Sequence, residues 1–588
     1  MSHELSPNLW QPQKIVDKET GSDVSILLKP FFTNSDRPVF VMRNLPPLTE
    51  GALFSRFSRA EAPDIRQVFY DEFLSQEVKA DFRKDPGKVE EEINDFMRLQ
   101  SYFVNEARAK SFYRRVLAEY GDDSIGYMTS AHLAMLHISS RASFETSEQR
   151  IGADPIVKSS RFLVLDKKIN GKYQYYRDPQ IMQSRFADQF INAMDLLFDT
   201  YSRMLPEMIK FLKEKVPLHD FRSRGISLAD AEKTRDQSKV TSFVETYENS
   251  ARSAALDVIR GLLPSAVLLN KGFSGNAGGY KSILLRLLTS QLYEFRTLGR
   301  ESKSELDLSI PEVLPGIDDE HGIVHQKYLK ETKNALRIKI REAFNRYGSD
   351  ETAKPLWQGR YVSLIDVDDN ERAELNVFSA LIADEYQVDT FVARNLAAKL
   401  TQEKKEEMIN EVTSRRTNRR HKLQRGFENA HYTFQFMMPL GELRDLHRHK
   451  MQTRSMPPLT VKNGFDVPEE VVAIGAKKEY SEPVKGAEEV YWALFDTLPA
   501  QADYAVTFAH KLPYRTTVNL RATDVIATLR SSSDNNPRNR VAAQEMHQAV
   551  SYATPTLAKA MNLVDFNEYE LGRFWSLYRS EEKKSKLQ

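Results

Sequence analysis

Four potentially cationic side chains stand in a row at His447-Arg448-His449-Lys450, immediately after the helical pattern Leu440-Gly-Glu-Leu-Arg-Asp-Leu446. Such a cluster suits phosphates or an anionic ring, because a guanidinium forks onto paired oxygens while an ammonium adds a compact charge. The plain alternative is a solvated helix end, where cations favour the negative pole of the helix dipole. A metal site is not expected, since His447 and His449 have only Asp445 nearby as a further ligand. The chain contains no cysteine, which excludes disulfides, thiolate metal sites and every mechanism with a cysteine nucleophile.

The elements that must position these groups read mostly as helix. Residues 89–119 and 181–215 carry apolar side chains at three- and four-residue spacing between charges. Strand-like alternation is scarcer and clearest at His431–Phe436, where Tyr432, Phe434 and Phe436 share one face. A helix-rich α+β fold is expected, with long helices and a small antiparallel sheet in each domain. With 588 residues, 41% of them hydrophobic and 28% charged, the chain has room for two large domains. The Pro-, Gly- and acid-rich stretch 304–330 reads as the linker, giving domains 1–325 and 326–588, with the first thirty or so and the last ten residues frayed.

Lys and Arg number 83 against 82 Asp and Glu, so no global field draws the chain onto nucleic acid, and a nucleic-acid partner is unlikely. The basic run Arg415–Lys422 is read accordingly as a solvated helix face. The N-terminus has no apolar core of a signal peptide, and no window approaches eighteen consecutive apolar residues; no membrane partner and a cytoplasmic location are expected.

Landmarks recur in the same order in both halves. An apolar run opens with Ala131-His132 or Ala430-His431 and leads to a polar or basic turn; a Leu-Pro step follows, Leu263-Pro264 or Leu512-Pro513; then Asn276 or Asn519 opens an apolar helix that carries Arg286 or Arg530. The second half has Arg448-His449-Lys450 and then Asn519-x-Arg521 with Arg530 eleven residues past the Asn. In the first half the triplet is Gln149-Arg150-Ile151, but Ser159-x-Arg161 follows ten residues on, and Arg260 stands four residues before Pro264.

This pattern resembles the flavin-dependent thymidylate synthases, with their Arg-His-Arg triplet, Ser-x-Arg, an Arg ahead of Leu-Pro, Asn-x-Arg and a final Arg, here duplicated in tandem and partly degenerate in each half. The resemblance covers roughly residues 100–290 and 395–550. The folate-facing His of the family is missing at Gly121-Asp-Asp-Ser124, and the Gln before its triplet is Thr146 in one half and Asp445 in the other.

The resemblance implies an enzyme that methylates deoxyuridylate or a related pyrimidine nucleotide, using FAD, with methylenetetrahydrofolate and NADPH as co-substrates, at composite sites between the repeats. It assigns Arg530 a catalytic role, Ser159, Arg161, Arg260 and Arg530 to the nucleotide, and Arg448, His449, Lys450, Asn519, Arg521 and Asn276 to the flavin. It also implies a homodimer of four similar repeats. A protein that keeps the ligands but has lost turnover is the alternative.

Overall fold

Two four-stranded antiparallel sheets share one strand order. The computed structural model describes residues 14–57, 64–103, 106–119, 123–160, 163–223, 226–345, 359–533 and 535–569. In the first sheet, β1 (Val39–Met42), β2 (Ser130–Ser139), β3 (Ala153–Val157) and β4 (Leu268–Asn276) run in the order β1-β2-β4-β3. In the second, β5 (Val362–Val367), β6 (His431–Pro439), β7 (Thr453–Ser455) and β8 (Lys511–Asn519) run in the matching order β5-β6-β8-β7. The duplicated, helix-rich α+β architecture expected from the sequence is present.

The alternation at β6 works as the pleat requires. Tyr432, Phe434 and Phe436 are at most 1% exposed, and across the ladder they face Val518, Thr516 and Tyr514. Each buried aromatic ring contributes on the order of 2 kcal/mol. Long helices flank the strands, among them α2 (Ala187–Lys215), α3 (Gln237–Ile259), α4 (Ala277–Leu288), α5 (Tyr293–Ser309), α6 (Glu320–Asn345), α8 (Leu520–Ser531) and α9 (Pro537–Ala553); two short helices, α1 (Ser140–Thr146) and α7 (Leu440–Leu446), follow the second strand of each sheet. No helix of the described residues is long and apolar enough to cross a membrane.

By packing, the chain forms two compact units, each built from three stretches. Unit 1 takes Met1–Asp195, Pro264–Ala353 and Glu489–Ala505; unit 2 takes Leu196–Leu263, Lys354–Glu488 and Val506–Gln588. Unit 1 therefore contains a short piece of the second half, tied in by Asp503, which accepts from Arg141 Nε of α1 at 2.8 Å, and by Tyr504, whose hydroxyl donates to Glu294 at 2.8 Å. Unit 2 contains α3 and Arg260 from the first half. Arg260 meets Glu442 of α7 at 3.3 Å.

Two local readings are corrected. Residues 14–32 are packed rather than frayed: Ile15, Val24, Leu27, Leu28 and Phe32 are at most 1% exposed, and buried Asp17 accepts from Arg83 at 2.7 Å and Tyr70 at 2.6 Å. The stretch 304–330 is helical at both ends, within α5 and α6, because Pro311, Pro315 and Gly316 fall between them.

One backbone detail shifts the repeat. Between Met135 and Ile138, β2 carries one residue more than β4, and His137 there has φ +52°, its N–H held by Asn270 Oδ1 at 2.8 Å. β6 pairs with β8 without such a bulge. An extra residue of this kind advances everything that follows by one position. Counted forward from the equal-length α1 and α7, Glu148, Gln149 and Arg150 match Arg448, His449 and Lys450. Counted back from β3 and β7, where Asp154 and Thr453 each pair two residues before the capping Asn, the match is Gln149, Arg150 and Ile151, so the two turns differ by one residue. The Leu-Pro steps are not equivalent either: Leu263-Pro264 precedes β4, whereas Leu512-Pro513 lies inside β8. Strand register puts Asp503 in the place of Arg260.

Candidate functional site

Helix α7 ends at Leu446, and the chain turns sharply through His447–Gln452 before β7. Buried Gln452 ties this turn, donating from Nε2 to the carbonyls of Leu446 at 3.0 Å and His449 at 2.7 Å while accepting from Thr516 Oγ1 at 2.8 Å. Arg454 Nη1 donates to the His447 carbonyl at 2.6 Å. With its carbonyls drawn inward, the turn presents Arg448, His449 and Lys450 toward the start of α8.

That start is capped by Asn519, whose side chain accepts from Ala522 N at 2.8 Å. The cap satisfies one of the otherwise orphaned amides of the first turn. Arg521 is held by Glu428 Oε1 and the Leu423 carbonyl, both at 2.7 Å. Between turn and helix lies a cavity of about 230 Å³ lined by Lys422, Arg448, His449, Lys450 and Arg521 on its cationic side. Asn519 and Glu428 line it too, and Met451, Val525 and Ile526 supply apolar surface. Cations, an apolar wall and one carboxylate make a cleft fitted to a flat ring bearing phosphate.

Arg530 lies on α8, 8% exposed. Its Nε donates to His449 Nε2 at 3.0 Å, Nη1 to Asn535 Oδ1 at 3.2 Å and Nη2 to the Asp445 carbonyl at 2.6 Å. All three acceptors are uncharged. Burial and then neighbouring Arg448 push the guanidinium down to about 10. Burial, with Arg530, Arg448 and Arg454, holds His449 down to about 3, so it is the neutral acceptor that Arg530 requires. Arg444, over the Phe508 ring at 4.9 Å, is pushed down to about 9 by burial, Arg260 and Arg448. Burial is the larger cause of each shift and neighbouring cations the smaller, and an anion placed among them would offset the latter.

The structure thus brings Arg448, His449, Lys450, Asn519 and Arg521 to one cleft, with Arg530 bonded to His449. Arg260 is elsewhere in unit 2, 4% exposed, between Asp257 at 3.2 Å and Glu442 at 3.3 Å. Asn276 caps α4 in unit 1, accepting from Gly279 N at 3.0 Å. Ser159 is half-buried past β3 in unit 1, and Arg161 lies outside the described residues. The described residues hold no group of three or more His, Asp or Glu suited to a metal.

A family model for thymidylate synthase complementing protein (Thy1) matches residues 73–312 and again residues 367–556. The chain belongs to the Thy1 family. A "UPF0159 protein" of Chlamydia muridarum is 31% identical over 546 residues, covering 93% of this chain and 96% of the relative. One of Thermoplasma acidophilum is 29% identical over 531 residues, covering 90% and 97%. Among solved structures, a UMP/dUMP methylase of Streptomyces cacaoi bound with 5-Br dUMP is 18% identical, covering 34% of this chain and 94% of that one, with a TM-score of 0.28.

Within the second Thy1 match, several residues that set the site carry no motif signal. Gln452 and Arg454 fix the turn, Asn535 holds Arg530, and Asn539 donates to Asp445 Oδ2 at 3.1 Å. The dense polar run Ser531–Arg540 just past Arg530 was the available hint. In the basic run, Arg416 is not solvated: it is 7% exposed and bonded to Asp524 at 2.6 Å. Lys422, from the same run, lines the cleft.

Proposed function

We propose that this Thy1-family chain binds FAD and a pyrimidine nucleotide and methylates deoxyuridylate, with methylenetetrahydrofolate as carbon donor and NADPH as reductant. The observation that carries the reading is Arg530: a buried guanidinium held by three neutral acceptors beside a cationic cleft, with no carboxylate of the described residues taking up its charge. Three of its five N–H groups are used, which leaves donors for a ligand.

The cleft suits the flavin. Arg448, Lys450 and Lys422 would take its phosphates, Arg521 is already oriented by Glu428, and Val525 and Ile526 offer a surface for a ring. Bound there and reduced, a flavin would supply the hydride, which no amino-acid side chain can supply. The protein's own part is positional and electrostatic. Arg530, kept in place without being neutralised, would stabilise negative charge on a pyrimidine carbonyl or ring nitrogen; a preorganised donor in a dry site contributes about 3 kcal/mol to such a step. Neutral His449 fixes the Nε edge of Arg530 and adds no competing charge. The assembly proposed is a homodimer of four repeats, which sedimentation tests.

A second reading, ligand binding without turnover, is favoured by Arg260, whose charge is already taken by Asp257 and Glu442. Flavin absorbance in the purified protein supports both readings. Tritium release from labelled deoxyuridylate, given folate and reductant, belongs to the enzyme alone, and its absence with flavin bound would leave the second.

A further inference from the structure

The counterpart of the cleft in unit 1 can be found residue by residue. Asn276 caps α4 as Asn519 caps α8, so Gly278 stands for Arg521, Gly279 for Ala522 and Leu287 for Arg530. The 3-10 turn Asp123–Met128 precedes β2 as Arg425–Asn429 precedes β6, so Tyr127 stands for Glu428. Arg448 is matched by Glu148 when counted from α1 and by Gln149 when counted from β3, and of the three positions Arg448, His449 and Lys450 one cation, Arg150, remains. The cation of Arg521 is lost to Gly278.

The space is gone as well. A Cβ on Gly279 would lie 2.3 Å from the Gly152 carbonyl oxygen, and one on Gly278 would lie 2.2 Å from the Tyr127 ring. Gly152, at φ +85°, is drawn against the helix start by its carbonyl, which accepts from Asn276 N at 2.8 Å. Where Arg521 and Glu428 flank an opening in unit 2, a tyrosine ring lies on a bare glycine in unit 1. Where Tyr514 faces His447 at 6.0 Å between ring centres in unit 2, Lys271 donates to the Ser143 carbonyl and to Thr146 and Ser147 in unit 1, at 2.6–2.8 Å. Leu287, at 0% exposed, makes the position of Arg530 part of the apolar core.

We infer that the first repeat has closed its nucleotide cleft, by seating Gly152 and Tyr127 on the paired glycines that open α4, and that the chain takes a single phosphate-bearing ligand in that cleft type, in unit 2. Closure is a property of unit 1 itself; the count of one rests on the proposed function.

Calorimetric titration of the full chain with FAD should give one equivalent, abolished by Arg521→Glu. Two equivalents, or one that survives Arg521→Glu, overturn the inference, whereas no binding at all overturns the proposed function. Closure is read without ligand. Gly279→Ala must displace backbone, so its Tm should fall by several degrees, and an unchanged Tm overturns closure. If that variant does not fold, Gly278→Ala decides: it should lower Tm in the native background and do so far less once Tyr127→Ala has removed the ring. Equal losses in both backgrounds overturn the Tyr127 contact on which closure depends.

Discussion

Arg530 and His449, eighty-one residues apart in sequence, share a hydrogen bond of 3.0 Å in which the guanidinium Nε donates to an imidazole nitrogen. A protonated imidazole has no lone pair to offer, so the bond exists only while His449 is neutral. Burial and the surrounding arginines ensure this down to about pH 3.

Acid should therefore weaken unit 2 earlier than carboxylate chemistry alone would. Unfolded, His449 takes up a proton near its ordinary value of 6.5; folded, it does not until about 3. The unfolded chain binds more protons throughout that window, so stability present above about pH 6.5 is lost progressively as pH falls toward 3. His449→Gln keeps an acceptor without a titration, and its Tm-against-pH curve should be flatter there than the parent's. Identical slopes would refute the role.

Glu294 works in the opposite direction. It is 5% exposed and accepts from Ser139 N and Oγ, both at 2.6 Å, and from Tyr504 at 2.8 Å, while burial pushes it up to about 7. Stability that it confers is complete below its unfolded value near 4.5 and is lost as pH rises through about 7. Glu294→Gln should remove that slope between pH 4.5 and 7. Glu294→Ala, which strands three donors, should cost about 3 kcal/mol or more in denaturant unfolding.

Replacing Arg530 separates charge from position. Arg530→Lys keeps a cation but cannot fork onto three acceptors, and Arg530→Gln removes the charge. Single-turnover rates should drop about 100-fold or more for Gln, with deoxyuridylate affinity changed much less. A rate equal to the parent's would remove Arg530 from the chemistry.

The basic run divides into two kinds of residue. Arg416→Ala leaves Asp524 buried without its 2.6 Å partner and should cost about 3–5 kcal/mol. Arg419→Ala and Arg420→Ala, both exposed, should stay within about 0.5 kcal/mol of the parent. Chemical denaturation of the three variants side by side is sufficient.

What the sequence made legible was periodicity and order. The alternation at Tyr432, Phe434 and Phe436 announced β6, and the paired asparagines announced the caps of α4 and α8, because such signals are local. The one-residue bulge at His137 was invisible: its N–H is satisfied by Asn270, far along the chain, and a gapless comparison of the halves slides past it. The partners of Arg530 were equally hidden, since two are a carbonyl and an amide with no characteristic spacing. Arg416 read as solvated because its acid, Asp524, lies on α8.

The make-up of the units also constrains how the protein comes into being. A ribosome delivers residues 1–195 first, yet unit 1 keeps Asp503 and Tyr504 among its own contacts, and unit 2 keeps Leu196–Leu263 waiting for partners that begin at Lys354. Domains usually fold as they emerge, N-terminal first. Neither unit is complete until its last stretch, Glu489–Ala505 or Val506 onward, has been made, although Phe243, Tyr247 and Ala251 of α3 already pack on Val216, Phe221 and Ala231 of the same segment. Splitting the gene at the repeat boundary should therefore leave each product short of a stretch that its unit needs.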